Sequence, residues 1–272
     1  MTYAELRQQL AAATPGSSLA FTLAPGEVIE VEESLVVAGI SVSISSPSPG
    51  ATIRRASWAN NSRIFEVRDA GHLSLSRVSV AHGRSNGGHG GGILVEGWNS
   101  VLTAEFLAVS DCQVLDLGGP PLISHLGGGI AAIAGAELRL RDVQVERCLA
   151  NCGGGIAVLG SLGTLTNCRI TNCRSSTDLQ NGGAGIHMLF GSAVLWRLGE
   201  ILNCSAVGVG AGVVAADSTF HMMDATISSC RAHFGGAGFI ASRLFGNPTA
   251  LSIGNLTNVS VSDWCAIRRV LL

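Results

Sequence analysis

The sequence predicts an all-β protein, a right-handed parallel β-helix of about eight or nine turns with a short capping helix at its amino end. Three observations predict it. Glycine-rich runs ending in an apolar residue recur: GGGI to Ile93, Ile130 and Ile156, GGAGI to Ile186, GAGV to Val213 and GGAGF to Phe239, at steps of 37, 26, 30, 27 and 26 residues. A second mark keeps pace with the first, a β-branched residue three positions before a cysteine: Val109 with Cys112, Val145 with Cys148, Ile170 with Cys173, Ile201 with Cys204, Ile227 with Cys230. Between the marks, stretches such as AELRLRDVQV alternate apolar and polar with period two, which is strand and not helix. The steps are too short for a strand, a crossover helix and a return, so each repeat is one revolution of a coil whose strands pair in parallel with those of the next.

The elements follow in order. Residues 1–17 read as the cap: Thr2 and Glu5 have capping-box spacing, Tyr3, Leu6, Leu10 and Ala13 share one helical face, and Pro15 and Gly16 stop it. The coil spans 18–265. ESLVVAGISVSI and the stretch from ATIRRAS to RIFEV are early turns, and GHLSLSRVSVAHG is a turn with Gly83 in the cysteine's place. LSIGNLTNVSVSDWC is the last turn, shifted by about one residue. Residues 266–272 read as a tail, and a further domain or subunit is expected to pack at that end. Stacking predicts interior rows of Ile93, Ile130, Ile156, Ile186, Val213 and Phe239, of Val95, Ala132, Val158, Met188, Ala215 and Ala241, and of the cysteines Cys112, Cys148, Cys173, Cys204 and Cys230. Free packed thiols are the reading of that last row, with a bridge involving Cys152 or Cys168 as the alternative; the absence of paired CxxC spacing argues against metal.

Composition sets aside several functions. All 17 basic residues are arginine, the net charge is -2 and the pI near 6.4, so nothing points to nucleic acid or an anionic membrane. No apolar stretch approaches the length of a membrane span, and the first residues lack the pattern of a secretory signal.

The unit IxxC followed by GG[GA]GI, best seen in ISSCRAHFGGAGF (227–239), resembles the GGA[ILV]/FxxN repeat of polymorphic outer membrane proteins, with Ile or Val for Phe and Cys for Asn. The start of the chain resembles that of a pectate-lyase-like β-helix. The resemblance implies a surface adhesin or passenger domain, hence a cell-surface or extracellular place.

Candidate sites are sought where turns are longest, because insertions into a solenoid gather on one face. Residues 84–90, 113–126 and 174–181 would bring His82, Arg84, His89, Asp116, His125, Arg174 and Asp178 to one edge. A second candidate is the outward side of the post-glycine strands, where Leu94, Ile133, Leu159, Leu189, Val214 and Ile240 form an apolar face able to meet a partner. The NGGAGI run at 181–186 is followed by a strand and lacks the helix and lysine of a phosphate loop. Gly88-His89-Gly90 matches the GHG of pectin hydrolases, but that family's other motifs are missing. Hydrolysis needs two facing carboxylates; Asp142 and Asp224 share a row yet lie about 14 Å apart, three strand spacings. The expected function is therefore non-catalytic binding of a protein or glycan surface, with no cofactor or metal implied, and the alternative is a polysaccharide lyase or glycoside hydrolase.

Overall fold

The computed structural model describes residues 1–115, 125–176, 182–233, 238–242, 253–262 and 267–269. It is a right-handed parallel β-helix in which every strand pairing is parallel. Helix α1 (Tyr3–Ala12) begins on the expected capping box: Glu5 N–H donates to Thr2 Oγ1 at 3.2 Å, and Thr2 N–H donates to Glu5 Oε2 at 2.7 Å. It packs against Leu35–Ala38 and buries Leu6 and Leu10, with Tyr3 and Ala13 half-buried, so apolar side chains of the first turn are covered.

Revolutions between Arg84 and Ala232 visit three sheets, and the earlier ones two. Nine strands, from Leu35–Ala38 through Ile130–Ile133 to Ile267–Arg269, form the first, and the six from Ile93–Glu96 to Phe239–Ser242 follow the glycine runs. A 16-stranded sheet holds two strands of most revolutions, for example Glu137–Arg141 and Gln144–Glu146, which merge into Thr219–Ser228. Six short strands, from Arg84–Asn86 to Arg231–Ala232, make the third. Ile267–Arg269 pairs with Phe239–Ser242, so the first sheet runs into the segment 266–272 that was expected to be a tail.

The register stacks like on like. Leu35, Phe65, Ile93, Ile130, Ile156, Ile186, Val213, Phe239 and Ile267 lie in one column, the expected one extended at both ends. Val80, Val109, Val145, Ile170, Ile201 and Ile227 form another. The five repeat cysteines are fully buried and unbridged, and each donates its S–H to the carbonyl two residues earlier at 3.2–3.6 Å. Cys265 lies outside the described residues.

The two sequence marks meet inside the coil. Gly129 faces Val145 and Cys148, and a Cβ there would lie 2.8 Å from Val145 Cγ1 and 2.7 Å from the Gly155 carbonyl oxygen. Two residues earlier Gly127 has φ 71°, which turns the chain back over the outside of its own strand. Between the marks each revolution makes two one-residue bends in the left-handed region, five residues apart: Phe106 and Asp111, Asp142 and Arg147, Asn167 and Asn172, Leu198 and Asn203, Asp224 and Ser229.

Candidate functional site

The longest turns do converge, in part. His89 precedes the strand Ile93–Glu96, and His125 occupies the neighbouring revolution before Ile130–Ile133, so the ladder that aligns these strands also brings the two imidazoles close. Leu126 N–H donates to His89 Nδ1 at 3.3 Å. That nitrogen must then be unprotonated, and the neutral ring carries its proton on Nε2. His125 Nδ1 lies 3.5 Å from the Asn151 amide nitrogen, and Asn151 Oδ1 accepts from Ser176 Oγ at 3.1 Å. On the other side, the Arg63 guanidinium pairs with Glu66 at 2.7 Å, donates to Ser85 Oγ at 3.2 Å and reaches the Gly90 carbonyl at 3.4 Å. Burial, with Arg63 and His125 adding to it, pushes the His89 pKa down to about 4. The result is a partly buried polar seam across successive turns whose histidine His89 is neutral at physiological pH.

Other predicted members lie elsewhere. His82 stands at the opposite corner of the third sheet, beside Asp111, with its carbonyl bonded to Arg55. Arg84 and Arg174 share one row of that sheet, separated by Gln113 and Leu149. The expectation of one shared edge is thus corrected: the short strands of the third sheet hold the corners apart. Asp116 and Asp178 lie outside the described residues.

The expected apolar face is also corrected. Leu94, Leu159, Leu189 and Val214 do alternate with the interior column, yet all four are buried, and Ile133 is half-buried. Leu126, Cys152, Ala157, Leu159, Leu189 and Ala216 form a second small core outside the coil. The folded-back glycine corner helps close it: a Cβ on Gly127 would touch that of Ala131 at 2.8 Å. His187 sits in this layer, completely buried, with its Nδ1 3.2 Å from the Gly182 carbonyl and its pKa lowered by burial to about 4. The side chain of Ile240 is outside the described set.

The lateral carboxylates are held by arginines. Arg147 forks onto Asp111 with two bonds of 2.8 Å and keeps that carboxyl below its usual range; Arg139 does the same to Glu137. Arg54 bonds Glu30, Arg141 bonds Glu105 and Arg169 bonds Glu200, each pair spanning adjacent turns. Asp142 and Asp224 stand in one bend column with Asn167 and Leu198 between them. No cluster of three or more metal-type ligands occurs among the described residues.

Sequence reasoning missed a second feature, a shallow groove of about 520 Å³ along the first of the two bends. Its walls include Phe106, Asp142, Asn167, Leu198 and Asp224, and its floor Gln144, Arg169, Glu200 and Thr226. The signal in the sequence was faint: Asn or Asp opens the bend at 142, 167 and 224, but both bends of a turn carry one only at Asn167 and Asn172. Compared with known protein families, curated proteins and solved structures, the chain matches none.

Proposed function

We propose that this chain is a non-catalytic β-helix that binds a glycan or protein at its surface, in the manner of an adhesin. The observation that carries the reading is the state of the lateral acids. A proton-donating carboxyl in a glycosidase needs a raised pKa, whereas Asp111 and Glu137 are pulled down by arginine; Glu30, Glu105 and Glu200 each pair with an arginine of the adjacent turn. The resemblance to the repeats of polymorphic outer membrane proteins supports the same reading and a cell-surface setting. With the post-glycine face buried, the binding surface is assigned to the corners and bends of the coil.

A second reading, a polysaccharide lyase, has one observation in its favour: the neutral His89 stands beside His125 and the Arg63 guanidinium, an imidazole next to a cation that would act as a base once its Nδ1 is released from Leu126 N–H. Incubation with polygalacturonate or alginate, with and without calcium, separates the two. We expect no unsaturated uronide, and turnover that disappears in His89→Gln would establish the lyase instead.

A further inference from the structure

Two residues on the first bend are out of keeping with their place. A left-handed φ is tolerated by Asn, Asp and Gly, and for a bulky residue it is a strained outlier. The bend column follows that rule at Asp142, Asn167, Asp224 and Asn258, but Arg77 (φ 53°), whose guanidinium stacks on Phe106, and the apolar pair Phe106 (φ 53°) and Leu198 (φ 54°) break it. Both members of the pair are turned to solvent, Phe106 45% and Leu198 55% exposed. Neither backbone preference nor burial accounts for them, and what sets them apart from the equally exposed, left-handed Phe190 is that they stand in one column along one groove. Both line the groove described above.

We propose that a neutral oligosaccharide lies along this groove, parallel to the coil axis, with Phe106 and Leu198 as its apolar contacts and the floor row Gln144, Arg169, Glu200 and Thr226 as its hydrogen-bonding partners. The proposal rests on the binding role assigned above and gives it a place and a ligand class. From Phe106 to Asp224 the groove crosses four turn spacings, about 19 Å, room for a short linear glycan. The floor offers the Gln144 amide, the Arg169 guanidinium paired at 3.1 Å with the Glu200 carboxylate, and the Thr226 hydroxyl at successive turns, a mix of donors and acceptors that suits sugar hydroxyls, which do both. The face of a sugar ring fits an aromatic or aliphatic wall, and Phe106 is steadied from one side by the Arg77 guanidinium, 4.7 Å from its centroid. The lining carries three carboxylates, Asp142, Glu200 and Asp224, against one guanidinium, Arg169, which disfavours a polyuronate. An extended peptide is disfavoured because the strands under the groove are already paired on both sides, leaving no edge to join.

The test is calorimetric titration with cellohexaose, xylohexaose and mannohexaose, and with polygalacturonate and an unstructured peptide as comparisons. We expect at least one neutral hexasaccharide to bind. The double variant Phe106→Asn with Leu198→Asn should weaken it at least tenfold and yet unfold at a higher temperature than the parent, because Asn relieves the bend. Phe190→Asn serves as control: Phe190 is likewise exposed and left-handed (φ 59°) but at another corner, so its replacement should raise the unfolding temperature and leave affinity unchanged. The proposal is overturned if no neutral hexasaccharide binds, if only polygalacturonate or the peptide binds, or if the double variant binds as the parent does. That last result would remove the groove and spare the binding role, whereas turnover of a polysaccharide would remove the binding role itself.

Discussion

Gly129 and Val145 face each other inside one revolution so closely that a methyl group on the glycine would sit 2.8 Å from the valine Cγ1. Gly129→Ala should therefore destabilise the protein by about 2–3 kcal/mol, an overpacking effect. Gly191→Ala, left-handed at φ 73° but with open space around its Cβ, should cost about 1 kcal/mol through backbone strain alone. Adding Val145→Ala to Gly129→Ala should recover only part of the loss, because the Gly155 carbonyl at 2.7 Å remains in the way. Denaturant midpoints of the four proteins measure this, and equal costs for the two glycines would contradict it.

Interior side chains three apart share one volume. Leu140 sits with Val143, Leu165 with Cys168, Met222 with Ala225, and the fully buried Trp196 with Gly199, whose missing side chain the indole fills. Trp196→Leu should cost about 3 kcal/mol as a cavity, and Gly199→Val more than about 4 kcal/mol as a clash. Together they recreate the pairing of the Leu140 turn, so the double variant should fall within about 1.5 kcal/mol of the parent. Additive losses in thermal denaturation would refute the shared volume.

Stability should fall as the solution is acidified. His187 has a folded pKa of about 4 against an ordinary 6.5, so between these values the unfolded chain binds a proton that the native one does not. The contribution is complete above about pH 6.5, shrinks as pH falls towards 4, and amounts to about 3 kcal/mol at most. His89 acts in the same sense. His187→Gln should flatten the difference between unfolding free energies measured at pH 7 and pH 4.5, and an unchanged slope would show that the imidazole is not buried neutral.

The thiols should be inert in the folded protein. Burial pushes Cys152 up to about 12 and Cys168 to about 11, and raises Cys148 as well, so these three carry almost no thiolate at neutral pH, and full burial shields the other four from reagent. Mass-spectrometric mapping of maleimide labelling should find Cys112, Cys148, Cys152, Cys168, Cys173, Cys204 and Cys230 unmodified until denaturant is added. Rapid modification of Cys173 in buffer would argue against the packed column.

What was legible in the sequence is what repeats. Ile130 over Ile156 over Ile186 could be aligned because each turn asks the same question of the same position, and the glycine-to-cysteine spacing carried the register. The alternation that placed Leu94 and Leu159 outside the coil was correct as well, but alternation tells which side a residue takes and nothing about what covers that side. Their burial depends on the folded-back corner, whose path is set by φ at Gly127 and its counterparts and by contacts distant in sequence. The histidines show the same limit: His89 and His125 meet because the ladder aligns their turns, while His82, only seven residues before His89, is carried to another corner by the strand Arg84–Asn86. The groove at Phe106 and Leu198 was overlooked because attention to long insertions passes over a one-residue kink.

Since Ile156 is followed thirty residues later by Ile186 in the same place, a segment cut from 156 to 185 would rejoin Gly155 to an isoleucine and leave neighbouring rungs in contact. Growth by tandem duplication, and shortening by loss of a whole rung, are thus open to such a gene without passing through an unfolded ancestor. A deletion of half that length has no such exit, because it would set every later side chain on the wrong wall.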